Sequence, residues 1–399
     1  GSTDITHYPE MQTPYRFYGD QWVKQSLIFG ANLTNIGLSG EGIIDGQGAA
    51  FQVTTKLKPD RYRNRPYLIR FTECSGVKVS GLTLRNSAMW MQHYLACDSV
   101  FIEGITVYNH CNKNNDMIDI DGCSNVIIKN CVGDTDDDAL TLKSTSPRPC
   151  ENISISDCVL SSHCNAIKLG TESVGGFKDI LVSNCAIYDT RLAAIAIEMV
   201  DGGTAERIQF NNISAKGARG GIFIRLGNRA RHHRAQGSGG GIKYYFKENE
   251  KLEKPGMGSM RDISICNFMC SGVDEIACSI TGIPGFYVEN ITLRDIHISY
   301  NNRGDTGPFN TVVPENESEY PEYSMFGKLP AYGIYSRHVR NLSFYNVRLG
   351  YENDEMRPAL IFDDVQGLLL SDLDLMQPSG TSPSVIFKHT DDIRSDRDY

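Results

Sequence analysis

Three carboxylates and an imidazole stand out for their spacing. Asp116 follows Asn114 and Asn115, Asp137 and Asp138 form a pair about twenty residues later, and His163 follows at a similar interval. Each acidic group enters a short alternating run, Ile118 to Asp121 and Leu140 to Lys143. If the entering turns stack, the three carboxylates share one patch and cannot all ionise cheaply. At least one pKa rises, which leaves a protonated acid beside ionised bases. That is equipment for cleaving a glycosidic bond, with one carboxylic acid protonating the leaving oxygen and a carboxylate activating water. A separation of roughly 6.5–9.5 Å leaves room for the water and inverts the anomeric centre. Two plainer readings stay open at this point: a solvated acidic turn, or a calcium site built from Asp134, Asp136, Asp137 and Asp138. A lone histidine is most often a partly buried polar residue, but His163 lies one repeat beyond the pair, placed to tune an Asp or hold a sugar hydroxyl.

The elements that must position these residues repeat from end to end. A polar turn, often with Asn, leads into alternating β-branched residues and closes on Asn or Asp, as in SGVKVSGLTLRN from Ser75 and ENISISDCVL from Glu151. Val79, Ile102, Ile128, Ile155, Val182 and Phe210 mark successive copies at intervals of 23 to 28 residues, the period of a solenoid. Helical periodicity is nearly absent. The Leu and Asn signature of leucine-rich repeats is missing, and a propeller blade is longer. A parallel β-helix remains, in which each coil buries its inward residues against its neighbours. Asn suits its turns because it tolerates left-handed backbone and can hydrogen-bond its own kind one coil on. Aligning one strand through the coils places Ile118/Ile120, Leu140/Leu142, Ile167/Leu169, Ile195/Ile197 and Ile222/Ile224 inward. Two outward columns follow: Asp119, Thr141, Lys168, Ala196, Phe223, and Asp121, Lys143, Gly170, Glu198, Arg225.

Three excursions break the period, at 47–66, 229–259 and 300–329. Insertions on one face of a solenoid commonly wall a binding cleft, and Phe309, Tyr320, Tyr323 and Phe326 are the aromatics expected in that wall. One domain is expected over 1–399, with a charged, frayed tail from Asp391 and residues 1–26 too short for a full N-terminal cap. Net charge is −9 and the sequence pI about 5.5, which argues against nucleic-acid or membrane-surface partners. No apolar run reaches membrane-spanning length. Most of the 12 cysteines recur beside strands and read as small stacking core residues; one or two disulfides fit only an exported protein.

Residues 114–143 resemble the signature of family 28 of the glycoside hydrolases, the polygalacturonase-like enzymes. Asn114-Asn115-Asp116 matches its Asn-x-Asp motif and Asp137-Asp138 its Asp pair; Ser162-His163-Cys164 is a partial match to its Gly-His-Gly turn. The resemblance implies a right-handed β-helix, inversion, Asp137 as general acid, Asp116 and Asp138 holding or deprotonating water, and His163 in support. No metal or other cofactor is implied, and the location implied is extracellular or periplasmic. Where the family carries Arg-Ile-Lys, this chain has Ala196-Ile197-Glu198, which removes the cationic pair that holds a galacturonate carboxylate. Rhamnogalacturonan or side-chain linkages of pectic glycans are therefore expected over plain homogalacturonan, on a monomer. Asn114, Asp119, Lys168, Glu198 and Arg225 are expected to line the groove and bind substrate. A calcium-dependent lyase using Lys168 as base, and a non-catalytic glycan-binding fibre, are the alternative readings.

Overall fold

The structure is a computed structural model that describes residues 2–9, 25–53, 62, 64–231, 233–234, 252–274, 276–301, 311–380 and 383–398. Most of the 1–26 stretch expected as a short cap, most of the 229–259 excursion, residues 302–310 with Phe309, and part of 47–66 lie outside those residues. Among the described residues there is no α-helix. Twenty-seven strands hydrogen-bond into one sheet that winds around the molecule, and every printed pairing between its strands is parallel, as in a β-helix.

Each coil contributes three strand segments. The face that matters for function runs through Gln92–Leu95, Ile118–Asp121, Leu140–Ser144, Ile167–Ser173, Ala193–Met199 and Gly220–Leu226. Ile118 pairs with Leu140, Leu140 with Ile167, Ile167 with Ile195 and Ile195 with Ile222. The inward column is buried in one continuous apolar core extending from Leu68 to Val385. The first outward column is as expected: Asp119, Thr141, Lys168, Ala196 and Phe223 pair in series. The second column is interrupted, because the register shifts after Leu142 and Ser144 pairs with Ser173. At that shift Gly170 adopts φ +123°, and a Cβ there would fall 2.8 Å from the Glu198 carbonyl oxygen. Glycine therefore lets this strand press close against the coil that carries Glu198.

The corners explain the recurring Asn. Asn125, Asn152, Asn290 and Asn341 all have φ between 55° and 58°. Asn152 donates to Asn125 at 3.3 Å and Asn341 to Asn290 at 2.9 Å, one coil to the next. The cysteines are all unpaired, and most are buried. Cys97, Cys123 and Cys150 point their thiols at the carbonyls of Phe71, Tyr94 and Ile120, a ladder of small core residues. Among the described residues, no helix is long and apolar enough to cross a membrane.

Candidate active site

Backbone ladders continue past the strands into the turns that enter them. Met117 N donates to Asp138 O at 3.1 Å and Ala139 N to Asn165 O at 2.9 Å. Counting two residues back from Ile118, Leu140 and Ile167 therefore gives one column across three coils: Asp116, Asp138 and Asn165. Asp137 stands beside this column. Its Oδ1 accepts from the Asp138 backbone at 2.9 Å, and its Oδ2 from Asn114 Nδ2 at 3.3 Å. Asn114 reaches it from a left-handed backbone, φ 55°, and its amide oxygen is held by Arg65 at 3.1 Å. Asp138 is clamped from the far side: Asn165 donates to Oδ1 through its backbone at 3.0 Å and its side chain at 2.8 Å, and Lys168 Nζ lies 3.1 Å from Oδ2.

Charges alternate along the rest of the face. Lys168 also stands 3.7 Å from Glu198 Oε2, and Thr171 Oγ1 lies 2.9 Å from that carboxylate and 3.0 Å from the Tyr320 hydroxyl. Lys143 Nζ is 3.5 Å from Asp119, 4.0 Å from Glu172 and 4.8 Å over the Trp90 ring. Arg229 joins Glu172, at 3.5 Å, to Asp201. Asp116, Asp119, Asp138, Lys143, Lys168 and Glu198 are all buried. Tyr320 puts its hydroxyl against Lys168 while 46% of its surface stays exposed. Oδ1 of Asp116, both oxygens of Asp119 and the Thr141 hydroxyl are buried without a hydrogen-bond partner. Buried polar atoms in that condition are costly, and a ligand rich in hydroxyls would satisfy them.

The acids separate electrostatically. Burial raises Asp116 well above the carboxylate range, and its acidic neighbours Asp119 and Asp137 add to it. Burial and the adjacent Asp138 also raise Asp137. Burial would raise Asp138 too, but Lys168, Lys143 and the Asn165 donors outweigh it and hold Asp138 below its ordinary value. Glu198 is raised to about 7 by burial, with Lys168 only partly offsetting. Desolvation would depress Lys168, yet Asp138 and Glu198 prevail and keep it well above the lysine range. Within the pair, the surroundings thus push Asp137 towards its protonated form and Asp138 towards its ionised form.

The structure brings together Asp116, Asp137, Asp138, Asn114, Asp119, Lys168 and Glu198. Two expected members stand elsewhere. His163 does not touch the Asp pair through its side chain; its Nδ1 faces Asp136 Oδ1 at 3.3 Å and its ring lies 4.6 Å from that of His110. The residue two before the strand, Asn165, takes the place at Asp138. Arg225 does not line the groove: it is fully buried, and its guanidinium is held by Thr281, the carbonyls of Gly282, Glu315 and Asn316, and the Phe326 ring. It pins the 311–331 segment to the sheet. Of the expected wall aromatics, Tyr320 reaches the site, whereas Tyr323 and Phe326 pack into a second apolar cluster with Ala196 and Phe223. The four acids of the 134–138 run fan out to different partners, to His110, to Lys113 and His163, to Asn114, and to Asn165 and Lys168, rather than converging on one oxygen cage.

A family model, "Glycosyl hydrolases family 28", matches residues 9–233. A probable polygalacturonase of Vitis vinifera is 35% identical over 150 residues, which are 36% of this chain and 30% of the relative. The chain thus aligns with under a third of the length of the curated relatives it matches. Among solved structures, an exopolygalacturonase from Thermotoga maritima superposes with TM-score 0.62 at 18% identity, covering 88% of this chain and 77% of that one. The family 28 exopolygalacturonase of Yersinia enterocolitica gives TM-score 0.62 at 16% identity, covering 97% and 66%. At such identities these likenesses carry the fold, the right-handed parallel β-helix.

Proposed function

This chain belongs to family 28 of the glycosyl hydrolases, and from that premise we propose that it hydrolyses glycosidic bonds in pectic glycans with inversion. Asp137 is the general acid in this reading. The observation that carries it is the divergence of two neighbours, Asp137 raised and Asp138 held low by Lys168 and Asn165. Asp138 and Asp116 hold the attacking water on the opposite side of the scissile bond, and Asp138, ionised, takes its proton as the oxygen attacks the anomeric carbon. Asp137 delivers its proton to the departing oxygen in the same event. Asn114 orients Asp137 through the 3.3 Å contact.

The sugar-binding face supports a rhamnogalacturonan or side-chain linkage over plain homogalacturonan. Glu198 stands where the family's basic pair is expected, and Lys168 is engaged by Asp138 and Glu198 together. A galacturonate carboxylate would have to compete with both. Oδ1 of Asp116 and the Asp119 carboxylate, which faces Lys143 at 3.5 Å, are buried without a hydrogen bond and favour a hydroxyl-bearing sugar instead. Tyr320, brought from a long insertion against Thr171 and Lys168, favours a chain end or short branch over a long polymer passing through. The same ion pairs weigh against the lyase reading, because a lysine base must lose its proton and Lys168 is held charged. The reading places the protein outside the cytoplasm, extracellular or periplasmic, acting as a monomer.

The test is reducing-end release on a panel of homogalacturonan, rhamnogalacturonan and branched pectic oligosaccharides, with proton NMR of the first-formed anomer. Release from the branched or rhamnose-containing substrates with inverted configuration supports the reading. Retention, unsaturated products, or release from homogalacturonan alone would contradict it.

A further inference from the structure

Beside the acid pair, on the outer side of the same turn, a second column runs through three coils. Asn109 pairs with Thr135 and Thr135 with Ser162, and the next residue of each chain segment is His110, Asp136 and His163. The ladder continues into these residues, since Asp136 N donates to Asn109 O at 2.9 Å and His163 N to Thr135 O at 2.8 Å. Backbones two strands apart are about 9.5 Å from each other. The two imidazoles nevertheless approach to 4.6 Å between ring centres, so both lean over Asp136 from opposite sides. One donor atom from each of the three residues falls within 4.8 Å of the other two.

We propose that His110, Asp136 and His163 bind a divalent transition-metal ion of the zinc class. Zinc takes imidazole nitrogen and carboxylate oxygen at about 2.0–2.2 Å, which sets tetrahedral donors about 3.3 Å apart. His163 Nδ1 and Asp136 Oδ1 already stand at 3.3 Å, and a ligand atom of His110 lies within 4.8 Å of both residues' ligand atoms. His110 is oriented for the role: its Nε2 lies 2.8 Å from Asp134 Oδ1, which leaves Nδ1 as the free donor. A carboxylate on the second nitrogen is the usual support of a metal-bound histidine. Lys113 now occupies Asp136, 3.2 Å from both oxygens, but 59% of its side chain is exposed. A pair so open to water is weak and easily displaced. All three donors are half-buried, so water reaches the fourth position.

The donor set distinguishes this site from two others nearby. Two nitrogens and one carboxylate select a transition metal over calcium, which takes six or more oxygens. Asp137, Asp138 and Cys164 also cluster within 4.8 Å. There, however, the Asp138 oxygens are committed to Asn165 and Lys168. An ion on the outer column would tie together three coils at the turn that carries Asp137.

The experiment is calorimetric titration of the metal-stripped full chain with zinc chloride, and of a parallel sample with cobalt(II) read by visible absorption. The expected result is one ion per chain, with tetrahedral cobalt bands and no sulfur-to-metal charge transfer. Asp134→Asn should weaken binding about 10–100-fold, His110→Gln should abolish it, and Lys113→Ala should strengthen it. Zinc at a hundredfold excess over its dissociation constant should raise the melting temperature by about 3 °C in the wild type and not in His110→Gln. An absence of binding, undiminished binding in both His110→Gln and Asp136→Asn, or a thiolate charge-transfer band would overturn the proposal. Melting of each variant without metal identifies any that fails to fold. The outcome does not depend on the pectic-glycan reading.

Discussion

At one corner of the β-helix, Asn125 donates to Asp98, Asn152 to Asn125, Asn290 to Asp262 and Asn341 to Asn290. On the face entered through Asp116, successive coils present Asp119, Thr141, Lys168 and Ala196, no two alike. The corner is exposed, and each of these side chains finds a partner in a neighbouring coil. The face is buried and charged, and leaves the Asp116, Asp119 and Thr141 oxygens without hydrogen bonds. Both are read by the same strand spacing. Where a coil has only to stack, small amide and carboxylate side chains recur and pair with their neighbours. Where it has to receive a ligand, repetition is abandoned, and the cost of unpaired buried polar groups is carried by the rest of the solenoid.

The sharpest way to break this contrast is Lys168→Met. It leaves Asp138 and Glu198 buried without their shared cation, which costs on the order of 3–5 kcal/mol of stability. It also raises Asp138, so activity should fall about 100-fold even where the variant is folded. Urea unfolding and single-temperature rates check the two parts; an unchanged rate would remove Asp138 from the ionised role. A smaller effect is expected of Glu198→Gln. The folded pKa of Glu198 is raised from 4.5 to about 7, so the unfolded chain ionises first. Stability is full below pH 4.5 and is lost as pH rises through about 7. The contribution is on the order of 2–3 kcal/mol. Glu198→Gln should flatten that part of the melting-temperature profile, and a slope that persists in the variant assigns the loss to another group. The smallest effect belongs to the corner. Asn152→Ala places a Cβ-bearing residue without a polar side chain at φ 57°, costing about 1 kcal/mol with kcat/KM unchanged. A change in kcat/KM would mean that corner and face are mechanically coupled.

Much of the face was legible because the repeat is periodic. The alternation of Ile118/Ile120 through Ile222/Ile224 predicted the inward pairs, and with them the pairing of Asp119, Thr141 and Lys168, but not the register shift after Leu142 that breaks the second outward column. His163 lies in the expected turn, but its side chain faces Asp136 rather than the Asp pair, and the amide of Asn165 meets Asp138. Counting back two residues from Ile167, as for Asp116 and Asp138, reaches Asn165 from sequence alone. Arg225 was misplaced. Its column is outward, but the 311–331 segment folds over it, and no period predicts where an insertion returns. The same holds for Tyr320, which meets Thr171 from 149 residues away. Lys143 and Glu172 stood in plain view, but only the closeness of their coils shows that they neutralise each other across the strand that follows.

The central claim is that Asp137 donates the proton to the leaving oxygen while Asp138 stays ionised. The most direct test compares wild type with Asp137→Asn on two substrates of the same sugar, a natural oligosaccharide and a nitrophenyl glycoside whose leaving group needs no proton. The account predicts a loss of roughly 10²–10⁴ in kcat/KM on the oligosaccharide and a much smaller loss on the nitrophenyl glycoside. Equal losses on both substrates would contradict it, because Asp137 would then be acting on something other than the departing oxygen.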